Sequence, residues 1–315
     1  MKVVFLGSPA FAVPALVNLA AHDNIEVALV VTQPDRPAGR GRTLSPPPVK
    51  TASLELRLPV YQPETLREAT AVEPLRDAAP DLLIVVAYGE LLRRNVLELT
   101  PYGCLNVHPS LLPRYRGSSP IPAAILNGDR TTGVSIMKLV RKLDAGPIVA
   151  QVEAEVRPDD TTGSLSERLA EIAALTLPEV ALRYVVGELP QVEQDDAVAT
   201  ITREWTTADA AIDWAQPAPA IERLVRAANP WPVAWTTDGE TRLRVLASSR
   251  AAGGSLPGQP PGTVTTQDGT VIVATSEDWL RLDVVQPAGK RAMPATDWWR
   301  GTRRATAVLG ASLAG

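Results

Sequence analysis

The sequence predicts an α/β chain in two parts: a parallel β-sheet covered by helices, followed by a smaller β-barrel. Three features predict this arrangement. The chain opens as strand, helix and strand; residues 82–87 form an unbroken apolar run; and beyond residue 204 short alternating segments are separated by glycine- and proline-rich turns. The length of 315 residues is more than one ordinary core accommodates and suits two domains.

The opening of the chain has the pattern of a βαβ unit. Residues 3–6 are apolar and end in a Gly-Ser-Pro sequence, as expected of a strand that enters a tight turn. An apolar helix over 11–21 and a second strand over 25–32 follow, so a parallel, Rossmann-like sheet is expected. The turn is not GxGxxG and no Walker sequence occurs, which argues against a dinucleotide or P-loop nucleotide site.

Residues 33–50 are predicted to form a loop. Three consecutive prolines near its end disfavour both a helix and a central strand. The loop contains Arg36, Arg40 and Arg42 among glycines and prolines. A solvated basic turn is one interpretation, and a loop whose arginines close on phosphate groups is the other.

The rest of the first part alternates buried strands with helices. Six consecutive apolar residues at 82–87 are typical of a strand buried on both faces. Within 164–187 leucine and isoleucine recur at helical spacing. Further strands are predicted at 58–63, 103–108, 133–140 and 148–156, and further helices at 90–99 and 121–128.

A domain boundary is predicted within residues 187–203, which lack a long apolar period. Aromatic usage changes at the same place, because all five tyrosines lie at or before Tyr184 and all seven tryptophans lie at or after Trp205. The predicted division is a Rossmann-like domain at 1–188, a linker at 189–203 and a second domain at 204–315.

The second domain is predicted to be a small β-barrel of the OB type. It begins with a helix at 218–228, after which short strands are joined by glycine and proline turns, as is typical of such barrels. The predicted strands are at 241–247, 262–266, 270–274 and 280–285.

Composition excludes several classes of protein. The single cysteine, Cys104, excludes an internal disulfide and a CxxC metal site, and it fits a reducing cytoplasm. The longest apolar runs fall far short of the ~20 residues that span a bilayer, so no membrane partner is expected. The net charge of −4 does not indicate a basic nucleic-acid module, so any RNA contact must use local patches.

Asn106 and His108 are the first candidate functional residues. They alternate with aliphatic residues in a predicted strand, so the amide and the imidazole share one face about 7 Å apart. Pro109 cannot donate to a sheet ladder and should end the strand, which puts the pair at a carboxyl end, where open α/β sheets bind ligands. A satisfied polar pair is the alternative. The scarcity of histidine favours function, since the other one, His22, lies in a predicted surface turn.

Asp144 is the third candidate. It precedes an Ala-Gly-Pro sequence, and aspartate in that position is also an ordinary turn former. Lys142, two residues away, is expected to form an ion pair with it.

Residues 106–117 contain Asn-x-His, then Ser-Leu-Leu-Pro, then Arg-Gly. This stretch resembles the signature of the folate-dependent formyltransferases. Residues 212–214, 225–232 and 286–290 resemble the C-terminal domain of those members that formylate aminoacyl-tRNA. The resemblance implies transfer of a formyl group from 10-formyltetrahydrofolate to the amino group of methionyl-initiator tRNA, for translation initiation. It implies no metal, and a cytoplasmic monomer is expected.

The resemblance also implies roles for individual residues. Asn106 would donate to the oxygen that becomes negative, and His108 would donate to it or carry a proton. Asp144 would orient the histidine and accept a proton from the amine. The remaining implied residues are Ser110, Leu111, Leu112 and Pro113 for the folate, and Arg36, Arg40, Arg42, Arg226 and Lys290 for the tRNA.

Two alternatives remain. One is a formyltransferase with the same catalytic domain that acts on a nucleotide sugar or a purine precursor. The arginine loop and the tryptophan-rich second part argue against it, because a small substrate needs neither. The other is a non-catalytic folate- or RNA-binding protein, against which the complete set of Asn106, His108 and Asp144 argues.

Overall fold

The computed structural model describes residues 1–38, 43–251 and 258–310. The chain forms two compact units. The first unit comprises 1–120, 131–155 and 166–202, and the second comprises 121–130, 156–165 and the chain from 203 onward. Residues 189–202, predicted to be a linker, thus belong to the first unit.

The first unit contains a sheet of seven strands and two short two-stranded ladders. The strands of this unit are β1 (Lys2–Gly7), β2 (Glu26–Val31), β3 (Arg36–Ala38), β4 (Thr43–Ser45), β5 (Val60–Tyr61), β6 (Leu82–Val86), β7 (Cys104–His108), β8 (Arg116–Gly117), β9 (Thr131–Lys138), β10 (Ile148–Glu155) and β11 (Ile201–Thr202).

The main sheet has the order β5-β2-β1-β6-β7-β9-β10. Its first five strands are parallel, and β9 and β10 are antiparallel to their neighbours. Every residue of β6 is buried, as its unbroken apolar sequence predicts. The predicted Rossmann-like sheet is therefore confirmed, with two antiparallel strands added at one edge.

The helices that begin before residue 165 are short apart from the last one. They are α1 (Val13–Ala20), α2 (Pro48–Glu55), α3 (Ala69–Asp77), α4 (Arg94–Leu97), α5 (Pro120–Leu126) and α6 (Thr162–Val185).

Two predictions for local structure in this part of the chain, at residues 43–50 and 90–99, are wrong. The proline run was expected to exclude a helix, but α2 begins at Pro48, because proline is tolerated at the first helical position, where its missing N–H has no partner to lose. The predicted helix at 90–99 shrinks to the single turn of α4. There the carboxylate of Glu90 accepts hydrogen bonds from Thr65 Oγ1 at 2.5 Å and from Leu66 N at 3.0 Å. These bonds hold residues 90–93, which precede α4, in a non-helical conformation.

The second unit is an antiparallel barrel packed by two helices. The remaining elements are α7 (Ala218–Ala227), β12 (Trp235–Asp238), β13 (Thr241–Arg250), β14 (Thr263–Gln267), β15 (Thr270–Ala274), β16 (Trp279–Pro287), β17 (Met293–Pro294), α8 (Ala295–Thr302) and β18 (Ala307–Val308).

The barrel has the order β12-β13-β16-β15-β14-β18, and β17 pairs with β16. A bridge between Asp238, at the end of β12, and Leu309, just after β18, brings the two edges together. The core contains Val245 and Leu280 from the strands and Trp298 from α8. The predicted small barrel is confirmed as a nearly closed antiparallel one. Within the described ranges no helix is long and apolar enough to cross a membrane.

Candidate active site

The sheet brings the three predicted catalytic residues together. Asn106 and His108 lie at the carboxyl end of β7, and Asp144 lies in the turn between β9 and β10. Because β9 pairs directly with β7, with His108 opposite Ser135, this turn is next to the strand that carries the other two residues. Asp144 Oδ2 lies 3.7 Å from His108 Nδ1.

A backbone carbonyl fixes the tautomer of His108. Its Nε2 lies 2.8 Å from the oxygen of Tyr115, and since a carbonyl only accepts, Nε2 carries the proton. Burial of the imidazole, which is 4% exposed, lowers its pKa, although the Asp144 charge and the Tyr115 hydrogen bond act in the opposite direction. The ring is therefore neutral near pH 7, and Nδ1 presents a lone pair toward Asp144.

Tyr115 is itself held in an unusual backbone conformation. Its φ is +59°, in the left-handed region that non-glycine residues rarely adopt. The Tyr115 N–H donates to Thr200 Oγ1 at 2.8 Å, which stabilises that conformation. Such local strain persists only where neighbouring contacts compensate for it. Here the result is a carbonyl that points at the imidazole.

Asp144 is oriented by a main-chain donor. The Gly117 N–H donates to Asp144 Oδ2 at 2.8 Å. Gly117 has a φ of +102°, and a Cβ at this position would lie 2.2 Å from the oxygen of Thr202. Only glycine permits this close approach of two chain segments. The Arg-Gly of residues 116–117 therefore provides the hydrogen bond that aims the carboxylate.

The expected ion pair between Lys142 and Asp144 is not formed. Lys142 Nζ instead bonds to the carboxylate of Asp196, which also accepts from Arg116 Nη1 at 2.8 Å. The two cations, the Lys142 hydrogen bond first, hold the pKa of Asp196 below its usual value. The sequence spacing suggested the wrong partner because the carboxylate that Lys142 reaches is 54 residues further along the chain.

Asn106 is 9% exposed, and its side chain forms no hydrogen bond with any part of the chain that the structure describes. A buried amide usually has a partner. Its two N–H donors thus remain available, two residues before His108 on the same strand. This is the arrangement required of a donor to a ligand oxygen.

The predicted folate loop follows β7 and is held rigidly. Ser110 is fully buried, and its hydroxyl donates to the oxygen of Arg114 at 2.6 Å. Leu112 is 3% exposed. The side chains of Ser110 and Leu112 are therefore committed to the loop and the core, whereas Leu111 and Pro113 are half-buried.

Two residues that the sequence did not indicate support this loop. The Leu112 N–H donates to Ser135 Oγ at 3.0 Å, and Gln151 Nε2 donates to the Leu112 oxygen at 2.9 Å. Both come from neighbouring strands, so no local pattern in the sequence could have identified them.

The predicted tRNA contacts differ in accessibility. Arg36 in β3 and Lys290 after β16 are exposed, whereas Arg40 and Arg42 lie outside the described residues. Arg226 is only 16% exposed at its side chain, because Glu222 binds its Nε at 2.5 Å and the Asp160 oxygen accepts from its Nη1.

A second set of cations lies on the barrel. Arg242 stacks 3.9 Å from the ring centroid of Trp235, and Arg244 lies opposite Trp235 in the β12–β13 ladder. Gln286 is within 3.5 Å of Arg244 and also bonds to the oxygen of Lys290. An indole stacked by one arginine and paired opposite a second is suited to phosphates and bases.

No group of three or more histidine, cysteine, aspartate or glutamate side chains suitable for a metal ion occurs in residues 1–38, 43–251 and 258–310.

The sequence is similar to known formyl transferases along most of its length. Residues 1–181 match the family described as formyl transferase, and residues 205–303 match the formyl transferase C-terminal domain. A methionyl-tRNA formyltransferase of Roseiflexus castenholzii is 50% identical over 303 residues, which cover 96% of this chain and 96% of that protein.

Solved structures share the fold at low sequence identity. HypX from Aquifex aeolicus in complex with tetrahydrofolic acid has a TM-score of 0.62 at 16% identity and covers 95% of this chain, which spans 46% of HypX. An N-formyltransferase from Helicobacter canadensis, in complex with folinic acid and dTDP-3-aminofucose, has a TM-score of 0.64 at 15% identity, with 90% and 98% coverage. At these identities the likeness concerns the fold alone.

Proposed function

The chain belongs to the formyl transferase family, and we propose that it transfers a formyl group from 10-formyltetrahydrofolate to the amino group of methionyl-initiator tRNA, for translation initiation. Near-full-length identity of 50% to a methionyl-tRNA formyltransferase supports this substrate pair. One structural observation carries the chemistry. An unpaired amide, an imidazole nitrogen with a free lone pair, and a carboxylate converge at the end of β7.

The bound folate supplies the formyl group, and the chain supplies the charge stabilisation. The oxygen of the formyl group becomes negative when the amino group attacks. Asn106, whose N–H groups have no partner in the described chain, donates to this oxygen. One preorganised donor of this kind is typically worth ~3 kcal/mol in the transition state.

His108 moves the proton. Its Nδ1 accepts the proton that leaves the attacking amine, while its Nε2–H stays on the Tyr115 oxygen. The imidazolium that results lies 3.7 Å from the Asp144 carboxylate, which stabilises it in a buried site. The imidazolium then returns the proton to the nitrogen that loses the formyl group.

The folate is proposed to lie against residues 110–113. Leu111 and Pro113 are the half-buried members, so they would provide apolar contact. The buried Ser110 and Leu112 would act by holding the loop backbone in place, together with Ser135. The folate site is proposed on two observations: the hydrogen-bonded loop at 110–113 and the unpaired buried amide of Asn106 beside it.

Both parts of the chain are proposed to bind the tRNA. Arg36, Arg40 and Arg42 would contact the acceptor end, and Arg242 and Lys290 would contact phosphates through the barrel. We assign Arg226 a structural role, because Glu222 and Asp160 engage its guanidinium. The proposed division assigns catalysis to 1–188 and tRNA binding to 204–315; residues 189–203 join the two, and 189–202 belong to the first unit.

We further propose that the protein acts as a monomer in the cytoplasm, where initiator tRNA is charged and used. Sedimentation of the full chain at micromolar concentration tests the monomer. A single species near the 33.6 kDa of one chain is expected, and a species of twice that mass contradicts it.

Transfer of labelled formyl from the folate to charged tRNA tests the function. Methionyl-initiator tRNA should be formylated, and an amino-substituted nucleotide sugar should not. A reaction without the protein supplies the control for uncatalysed transfer. Formylation of the nucleotide sugar with none of the tRNA would overturn the proposal.

A further inference from the structure

Residues 192–202, which we call the strap, run back across the candidate site instead of leaving it. At one end Val192 and Ile148 exchange backbone hydrogen bonds of 2.9 and 2.8 Å. At the other end β11 pairs in parallel with β8, so the strap lies beside Arg116 and Gly117. The strap lies between the two stretches that match the family, which end at 181 and begin at 205.

Gln194 connects the strap both to the turn that carries Asp144 and to Arg116. Its Nε2 donates to the Asp144 oxygen at 2.9 Å and to the Gly146 oxygen at 2.8 Å. Its Oε1 accepts from Arg116 Nε at 3.0 Å. One side-chain amide thus links the turn that carries Asp144 to Arg116. The next residue, Gly117, donates the N–H that orients the Asp144 carboxylate.

The turn that Gln194 holds has a strained backbone. Asp144 has a φ of +44°, which is costly for a non-glycine residue. Gly146 approaches β9 so closely that a Cβ would lie 1.8 Å from the Lys138 oxygen. A strained turn keeps its shape only if neighbouring groups fix it, and Gln194 bonds to the carbonyls on both sides of Ala145.

We propose that Gln194 is a positioning residue for the formyl transfer: it fixes Asp144 against Gly117 and thereby keeps the carboxylate facing His108. This inference rests on the proposed function. Gln194 touches neither of the reacting substrates in this account. It acts through Asp144, so its contacts with the turn and with Arg116 are part of the catalytic unit.

Two other residues of the strap also bond to residues that orient the site. Thr200 Oγ1 accepts from the Tyr115 N–H, and Tyr115 provides the carbonyl that fixes the His108 tautomer. Asp196 pairs with Arg116, whose side chain is 5% exposed. These strap side chains therefore bond to the loop that orients His108 and to the residue before Gly117.

The test compares Gln194→Ala and Gln194→Glu with wild type in the full chain. Glutamate keeps the acceptor for Arg116 but loses the two donors to the turn, so both variants should lower kcat by about 10- to 100-fold. The KM values for the folate and the tRNA should change less than about twofold, because no substrate contact is lost. Glu193→Ala is the matched control, since Glu193 is exposed, adjacent and without a hydrogen bond or ion pair among the described residues.

A second readout does not require activity. The chain has two histidines, so the imidazole NMR signals of His108 can be followed with His22 as an internal reference. The Asp144 charge opposes the effect of burial on the His108 pKa. Displacing that carboxylate should therefore move the His108 titration and the acidic limb of kcat to lower pH.

The outcomes separate this inference from the proposed function. If wild type transfers no formyl group to the tRNA, the proposed function fails, yet the titration of His108 still reports on Gln194. If wild type is active and both variants keep its kcat and its His108 titration, the positioning role is wrong. If the alanine variant unfolds, the isosteric glutamate variant decides, and wild-type kinetics in that variant would overturn the proposal.

Discussion

The Nε2 of His108 lies 2.8 Å from the main-chain oxygen of Tyr115, and this contact determines which ring nitrogen can act as a base. Asp144 is 3.7 Å from the other nitrogen, beyond hydrogen-bond range. The carboxylate therefore stabilises charge on a ring that the backbone has already oriented. This differs from a triad in which the aspartate itself selects the tautomer.

The buried histidine should make stability depend on pH. Its folded pKa lies below the ordinary value of about 6.5, so between those two values the unfolded chain binds more protons than the folded chain. The free energy of unfolding should therefore rise with pH across that window and level off above about 6.5. Urea denaturation of wild type between pH 5 and pH 8 measures this slope.

The matched variant for that measurement is His108→Gln, which keeps a polar side chain but cannot titrate. Its stability should be flatter over the same range, because the variant lacks the buried imidazole whose pKa folding lowers. Parallel pH profiles for wild type and variant would show that His108 is not a depressed, buried base.

Asn106, His108 and Asp144 should behave as one catalytic unit. Each alanine variant is expected to lower kcat by about 100-fold or more, with folate binding little changed. The Asn106→Ala, His108→Ala double variant should lose much less than the product of the single effects, since both residues stabilise the same transition state. Near-normal turnover in Asp144→Ala would remove the carboxylate from the mechanism.

Gly117→Ala should damage both stability and activity. The new Cβ would lie 2.2 Å from the Thr202 oxygen, so the strap or the Gly117 N–H must shift. A loss of about 2 kcal/mol or more in the free energy of unfolding is expected, together with a fall in kcat.

Gly187→Ala is the matched control for that substitution. Gly187 also has a positive φ, +75°, but a Cβ there would have nothing within 4 Å. It should cost only about 1 kcal/mol of conformational strain, with kcat unchanged. Equal effects of the two substitutions on kcat would mean that the close approach at Gly117 is not required for catalysis.

Cations on the barrel should account for part of the salt dependence of tRNA binding. Arg242→Ala and Lys290→Ala are each expected to reduce the slope of log Kd against log salt by about 0.7–0.9, as loss of one phosphate contact does. Arg183→Ala, which removes an exposed arginine of α6 paired with Glu188, should leave the slope unchanged. Wild-type slopes in the first two variants would exclude this face as a tRNA contact.

The arginine loop should be protected by RNA. Trypsin is expected to cleave the free protein after Arg40 and after Arg42, whereas Pro37 blocks cleavage after Arg36. Bound methionyl-initiator tRNA should slow this cleavage, because the arginines would contact phosphates. Identical cleavage rates with and without tRNA would identify the segment as a plain surface turn.

The sequence predicts much of the fold because its strongest signals are local. The alternation in β7 indicates which residues face the site, and the unbroken apolar run in β6 indicates a buried central strand. The three candidate catalytic residues follow from the same short stretches. Their convergence requires only that neighbouring strands end near one another.

The support for the site could not be predicted, because it is non-local. Gln194 lies 78 residues from Arg116, and Thr200 lies 85 residues from Tyr115. A segment with no apolar period resembles a linker in sequence, although here its polar side chains bond to the catalytic loop and turn. Proline likewise suggested that α2 could not form, yet it supplies that helix's first residue.

The role of His108 as the base is tested most directly by the single-turnover rate of labelled formyl transfer to methionyl-initiator tRNA. Wild type and His108→Gln are compared at saturating folate. The rate should be about 100-fold lower, or lower still, in the variant, with an unchanged Kd for the folate, because the side chain that accepts the amine proton is gone. A His108→Gln variant that transfers the formyl group at the wild-type rate would contradict that role of His108.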